Sequence, residues 1–535
     1  MVGMRSLRFA AAVLGMALAA GAAVAQSPRV DTRQGPVAGI VTHGVDEFLG
    51  IPYAAPPVGD LRWRPPAPAK PWSGVRQAAK FGPTCAQVTT LGVFAGPANA
   101  NEDCLTLNVF SPRLGAAAKL PVMVWIHGGG NLDGESDDYD ASRLAEVGGV
   151  VVVTINYRLG LLGWVAHPAL DAEGHAFGNY GLLDQIQALR WVKDNISAFG
   201  GDPGRVTVGG QSAGSIDAEA LVASPMAKGL LHRAIFQSII VDGAPLAAAE
   251  KQGADFAEAA GCGRGAGAEV AACLRRLTPE RIMQLQGTEA ASGPYTSILI
   301  ADGQIVPAGG IFAAFRSGRF NPMPIMSGTV HDEQNFFLAI TEYYATPQHN
   351  QTAEDLNAYL KSFGPIAGQV EAEYKPASYA TPQRARDAIG TDSIVCPQLA
   401  INRALAPQTP VYAYEFNDAT APFIFPPLPG FEPLAYHTAD IQYLFPLWRG
   451  GPKGVAHPLN AQQQHLSDGL IRAWTNFART GDPNGPGAPR WPAFKPEGGK
   501  AGVYLSETLP EAVAMTDQQF EAEHRCAFWA RVRPG

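Results

Sequence analysis

The sequence predicts an α/β fold built on a large, mostly parallel central sheet with helices on both faces. Two observations carry this. The strand-like runs are continuously apolar instead of alternating, as in strands buried on both sides. They also alternate with helical periodicity through the first half of the chain, the pattern of parallel strands joined by crossover helices.

Leu120 to Ile126 (LPVMVWI) and Val150 to Ile155 (VVVVTI) are the two clearest buried strands. Between Gly181 and Gly200 the period becomes helical, with Leu182, Leu183, Ile186, Leu189, Val192, Ile196 and Phe199 at three- and four-residue steps before Gly200-Gly201. Arg205 to Val208 is a short strand followed at once by Gly-Gly-Gln-Ser-Ala-Gly. Further strands are expected at Ala234–Ser238, Pro324–Ser327 and Val411–Phe416. Ser467 is placed to cap a helix carrying Leu470, Ile471, Trp474 and Phe477, ending before Gly481. With no repeat or linker between cores, residues 26–535 read as one domain.

Composition narrows the function. The 535 residues are 46% hydrophobic and 16% charged, enough apolar surface for a large core. The net charge of −8 is dispersed, without a Lys/Arg run, which argues against nucleic acid or an anionic membrane surface as partner. Residues 1–25 form a secretory signal peptide by pattern. Arg5 and Arg8 precede the apolar stretch Phe9 to Ala20, and Ala23-Val24-Ala25 offers a cleavage site before Gln26. That stretch is too short to span about 30 Å of hydrocarbon, and no later segment reaches that length. The expected destination is therefore periplasmic or extracellular. Six cysteines follow, namely Cys85, Cys104, Cys262, Cys273, Cys396 and Cys526. None forms a CxxC, and an even number in an oxidising compartment favours disulfides over a zinc ribbon. Counting alone leaves fifteen pairings open.

Gly210-Gln211-Ser212-Ala213-Gly214 fits a G-x-S-x-G turn between a strand and a helix. There the serine hydroxyl projects from the sheet, and small neighbours are needed because a Cβ would clash. The pentapeptide is weak alone; its position after a short β run and before a helix distinguishes Ser212 from an ordinary helix cap. A nucleophilic serine needs donors for the developing oxyanion. The Ala213 N–H and the bare backbone of His127-Gly128-Gly129-Gly130, just beyond a buried strand, can supply them.

At these motifs the chain resembles the type-B carboxylesterase/lipase family, with its α/β-hydrolase fold. The resemblance runs through Phe48–Gly59 (FLGIPYAAPPVG), Glu102–Val109 (EDCLTLNV), Trp125–Gly130, Asn179–Gln185 (NYGLLDQ) and Phe199–Pro203, into the nucleophile turn. It implies a Ser-Glu-His triad acting on a small-molecule ester through an acyl-enzyme, with no cofactor and no metal. The implied oxyanion donors are Gly129, Gly130 and Ala213, and the implied disulfides join nearest-neighbour cysteines. Carried onto this chain, the acid is the second of the adjacent pair Asp332-Glu333. Neighbours on an extended segment point opposite ways, so only one can reach a histidine. The family places a Gly after this Glu, where this chain has Gln334. His437, in Ala435-Tyr-His-Thr-Ala-Asp440, matches the family's catalytic-histidine segment, while His127 and His331 read as bystanders. A lipase with an interfacial lid is the alternative within the family, and the loop from Cys85 to Cys104 is short and only mildly apolar for that role. A non-catalytic binding protein on the same scaffold would lack the serine or histidine, and this chain keeps both. Cholinesterases carry a Trp in that loop and a carboxylate just before the nucleophile. Here residues 86–103 have only Phe94 as an aromatic, and Gln211 is neutral, so a preference for neutral esters is expected.

Overall fold

The computed structural model describes residues 1, 27–88, 96–238, 241–287, 299–446, 448, 450, 454–495 and 502–533. The expected signal segment (apart from Met1) and Phe94 lie outside the described residues. Eleven strands form the main sheet: β1 (Ile40–Thr42), β2 (Val45–Pro52), β3 (Thr106–Ser111), β4 (Leu120–Ile126), β5 (Val151–Ile155), β6 (Gly201–Gln211), β7 (Arg233–Gln237), β8 (Ile325–Val330), β9 (Val411–Phe416), β10 (Val503–Glu507) and β11 (Val513–Thr516). Their spatial order is β11-β10-β9-β8-β7-β6-β4-β5-β3-β2-β1. The pairings from β5 through β10 are parallel, and antiparallel strands finish both edges.

The continuous apolar runs behave as two-faced strands. In β4, Val122, Val124 and Ile126 enter one core cluster, while Met123 and Trp125 enter the other. Alternate residues of one strand thus feed opposite layers, so neither face can be polar. The helical run at 181–200 is α1 (Tyr180–Asn195), which ends before Gly200 and reaches β6 through a turn. β6 is longer than Arg205–Val208, with a register irregularity between Gly201 and Val206.

One expected helix start is corrected. The late helix, α5, covers Ala461–Thr480 and is capped by Asn460, whose side chain accepts from Gln462 and Gln463 N–H while Gln463 returns a bond. Ser467 lies inside it, buried, and donates to the Tyr443 carbonyl at 2.6 Å. The first apolar residues were a poor guide to the start, because a capping box set it two turns earlier.

Disulfides join Cys85–Cys104, Cys262–Cys273 and Cys396–Cys526. The last ties α4 (Pro382–Leu405) to the C-terminal helix α6 (Cys526–Val532). Three such bonds fit an oxidising compartment. No described helix is long and apolar enough to cross a membrane. Two recurring motif segments also acquire a structural reason. Glu102 takes Arg62 in a bidentate pair at 2.7 and 2.5 Å, and Asp184 of α1 takes Arg158 at 2.8 and 2.7 Å. Each carboxylate is thereby desolvated with its partner already in place.

Candidate active site

Ser212 stands between the last residue of β6 and α2 (Ala213–Ala223), at φ 59° and ψ −125°. A non-glycine residue in this region is strained, and the surroundings hold it there. Its N–H donates to the Gln237 carbonyl at 2.9 Å, and its own carbonyl accepts from Ser215 at 2.9 Å and Ile216 at 3.1 Å. The flanking glycines are sterically required. A Cβ on Gly210 would stand 2.5 Å from the Gly214 carbonyl, and one on Gly214 would stand 2.1 Å from the Ile126 carbonyl oxygen.

The glycine run approaches from the end of β4. A Cβ on Gly128 would lie 3.1 Å from Ser212 Cβ, so this backbone passes directly beside the serine. Gly129 (φ 104°) and Gly130 (φ 63°) turn the chain, and the Gly129 carbonyl accepts from Leu132 and Asp133. The Gly129, Gly130 and Ala213 N–H groups bond to no acceptor among the described residues. The loop is braced to the helices behind it through Asp217, one turn into α2. Asn131 Nδ2 reaches its Oδ1 at 3.1 Å, and Gln185 Nε2 of α1 reaches its Oδ2 at 2.5 Å. Burial pushes the Asp217 carboxyl up to about 7 despite these two donors. His127 stacks on Tyr157 with ring centroids 4.4 Å apart, and burial lowers it to about 4. It is neutral and packs the loop.

Glu333 follows β8 and has helical dihedrals (φ −49°, ψ −41°) at the start of α3 (Gln334–Tyr344). The expectation of an extended segment is thereby corrected, because the helix begins immediately. The two carboxylates still diverge. Glu333, fully buried, places Oε2 2.5 Å from His437 Nδ1 and accepts the Val330 N–H on Oε1 at 3.0 Å. Asp332 instead holds the histidine's own segment. Its N–H donates to the Ala435 carbonyl at 3.0 Å, and its Oδ2 accepts the Ala435 N–H at 3.2 Å. Gln334, where the family pattern has Gly, needs no unusual backbone here. Its N–H donates to Thr391 Oγ1, and its side chain occupies space that a Cβ on Gly390 would fill.

His437 is 1% exposed, and Phe337 packs on its ring with centroids 5.2 Å apart. Left-handed residues Leu434 (φ 55°) and Thr438 (φ 80°) bound the short turn that presents it. Its Nε2 lies 3.1 Å from Gln211 Nε2. The Gln211 contact and the Asp332 clasp are the parts that sequence reasoning missed. The first joins Gln211, read from the sequence only for its neutral charge, to a residue 226 positions away; the second required the pairing of two segments a hundred residues apart.

The sequence model of the "Carboxylesterase family" matches residues 26–529. A medium-chain fatty acyl-CoA hydrolase precursor of Anas platyrhynchos is 35% identical over 522 residues, covering 89% of each chain. The cocaine esterase of Homo sapiens is 33% identical over 539 residues, covering 95% of this chain and 92% of its own. Among solved structures, a PNB esterase superposes with a TM-score of 0.74 at 30% identity, covering 94% of this chain and all of its own.

Proposed function

Because the chain belongs to the carboxylesterase family, we propose that it hydrolyses carboxylic esters through an acyl-enzyme, with Ser212 as nucleophile, His437 as base and Glu333 as its orienting acid. The observation that carries this reading is the 2.5 Å contact of Glu333 Oε2 with His437 Nδ1, made beside the strained turn that presents Ser212.

With Nδ1–H donated to Glu333, the free lone pair of the neutral ring is on Nε2. Nε2 faces the amide of Gln211, the residue just before the serine, at 3.1 Å. Nε2 then takes the Ser212 proton as Oγ attacks the ester carbonyl. The Gly129, Gly130 and Ala213 N–H groups supply donors for the oxyanion of the tetrahedral intermediate. The imidazolium returns its proton to the departing alkoxide, leaving an acyl-Ser212. Water, deprotonated by the same nitrogen, releases the carboxylic acid and restores the serine. The chemistry so described draws only on side chains and backbone.

The test is a fluorophosphonate probe with peptide mapping, beside ester turnover in Ser212→Ala. The expected result is a single adduct on Ser212 and a loss of at least about 10⁴-fold in kcat for the variant. An adduct elsewhere, or a variant well above background, would overturn the assignment. We also place the mature protein outside the cytoplasm, with Gln26 as its first residue. N-terminal sequencing of protein from its native compartment checks this, and retention of residues 1–25 would refute it.

A further inference from the structure

The structure assigns a second polar site to the far side of the acid segment, and we propose that His331, His524 and Glu415 bind one divalent transition-metal ion of the zinc class. The three residues come from separate parts of the chain. His331 follows β8, Glu415 lies in β9, and His524 follows the helix Asp517–Glu523. One donor atom from each lies within 4.8 Å of the others. Ligands of a tetrahedral zinc ion stand about 3.4 Å apart at bond lengths near 2.1 Å, so donors at the 4.8 Å limit would close by about 1.4 Å, while His524 Nε2 and Glu415 Oε1, now 2.6 Å apart, would open to admit the ion.

Three further observations point to a cation. Glu415 is fully buried and uses Oε1 on His524 Nε2 at 2.6 Å, while its Oε2 has no hydrogen-bond partner. A buried carboxylate oxygen without a donor is costly unless something positive reaches it. Both imidazoles have a carboxylate on Nδ1, with Asp392 2.9 Å from His524 and Asp332 3.1 Å from His331. Such a partner makes Nε2 the ligand atom of each ring, and in this structure those two nitrogens face carboxylates, Glu415 on His524 and Glu523 on His331, with the metal replacing the protons between them. Glu523 Oε1 lies 3.1 Å from His331 Nε2, which adds a further carboxylate beside the three donors.

A cavity of about 530 Å³, lined among others by His331, His524, Asp387, Glu523 and Arg525, gives an entry path. The facing charges are Asp332, Asp387, Asp392, Glu415 and Glu523 against Arg525 and Arg384. Arg384 is already paired with Glu432 at 2.8 Å. This excess of carboxylate is balanced either by protons on both imidazoles or by the metal. Two histidines and a carboxylate match zinc or its neighbours better than calcium or magnesium, which prefer all-oxygen sites. The site is also wired to the catalytic segment, because Asp332 holds both His331 and the Ala435 N–H, two residues before His437.

The experiment uses the full mature enzyme, stripped with EDTA and returned to metal-free buffer. Zn²⁺ is titrated by calorimetry, and Co²⁺ is followed by its visible absorption. The expected result is one Zn²⁺ per chain, a tetrahedral Co²⁺ band, and a higher Tm with metal. His331→Ala, at the cavity rim, should weaken Zn²⁺ at least tenfold while the circular dichroism spectrum is kept. Asp332→Asn should weaken it less. No saturable uptake by the wild type would mean that protons alone balance the cluster, and the proposal falls. Unchanged affinity in His331→Ala would assign the uptake to surface carboxylates and overturn it equally.

Discussion

Replacing Glu333 by Gln tests the division of labour between the adjacent carboxylates. In the wild type Oε1 accepts the Val330 N–H at 3.0 Å, and Oε2 faces His437 Nδ1 at 2.5 Å. A glutamine must choose how to place its one oxygen and one NH₂. With oxygen toward Nδ1, its NH₂ would meet the Val330 N–H, a buried donor–donor contact costing about 1–3 kcal/mol. The favoured orientation therefore turns the NH₂ toward Nδ1, which then has to accept. The ring proton moves to Nε2, where it blocks removal of the serine proton. Tautomer inversion of this kind lowers kcat by about 10⁴-fold, equivalent to about 5.4 kcal/mol. Asp332→Asn keeps an oxygen for the Ala435 N–H and leaves the Glu333–His437 pair intact, so its loss should stay within about tenfold. The assay is kcat/KM on a p-nitrophenyl ester for both variants, with circular dichroism as a check on folding. Equal losses, or a greater loss in Asp332→Asn, would refute the assignment of the acid.

Burial, and next the Asp137 carboxylate, push Glu135 up to about 8, against the Thr84 hydroxyl that donates to it. Between the unfolded pKa near 4.5 and about 8 the folded chain holds a proton that the unfolded chain has lost, so stability falls as pH rises through that window. Glu135→Gln should therefore gain Tm relative to wild type as pH goes from 5 to 8, and parallel Tm–pH curves would contradict the assignment. Removing the Cys396–Cys526 bond by a double Ala substitution should lower unfolding free energy by up to about 5 kcal/mol, as loop-closure entropy for a separation of 130 residues requires. Urea unfolding measures it, and an unchanged midpoint would show that packing of α6 alone suffices. Butyrylcholine should be turned over no more than tenfold better, in kcat/KM, than its neutral 3,3-dimethylbutyl counterpart. A larger ratio, worth above about 1.4 kcal/mol, would reveal a cation site that the neutral Gln211 and the Trp-free first disulfide loop give no reason to expect.

What could be read from the sequence divides along the range of the interaction involved. β4, β5 and the serine turn are properties of contiguous residues. An unbroken apolar run needs two covered faces, and Gly210 and Gly214 are demanded by backbone contacts beside the serine itself. The start of α5 was misplaced because a polar capping box, invisible to hydrophobic periodicity, outweighs the first apolar residue. The proposed acid and base were reachable only through the family resemblance, since nothing local in Asp332-Glu333 says which carboxylate turns inward. The sheet decides it: β8 ends at Val330, whose N–H claims Glu333 Oε1, and the immediate helical turn swings Oε2 to His437. The same closure brings His331 to His524, 193 positions later in the chain, and Glu415 between them. Each of these three looks like a bystander in isolation. The segment that follows β8 thus touches two clusters through successive residues, with Glu333 on His437, His331 near Glu415, and Asp332 clasping the histidine turn. Asp332 alone contacts both, through His331 and through the Ala435 N–H, which is why Asp332→Asn belongs in the kinetic experiment and in the metal titration alike.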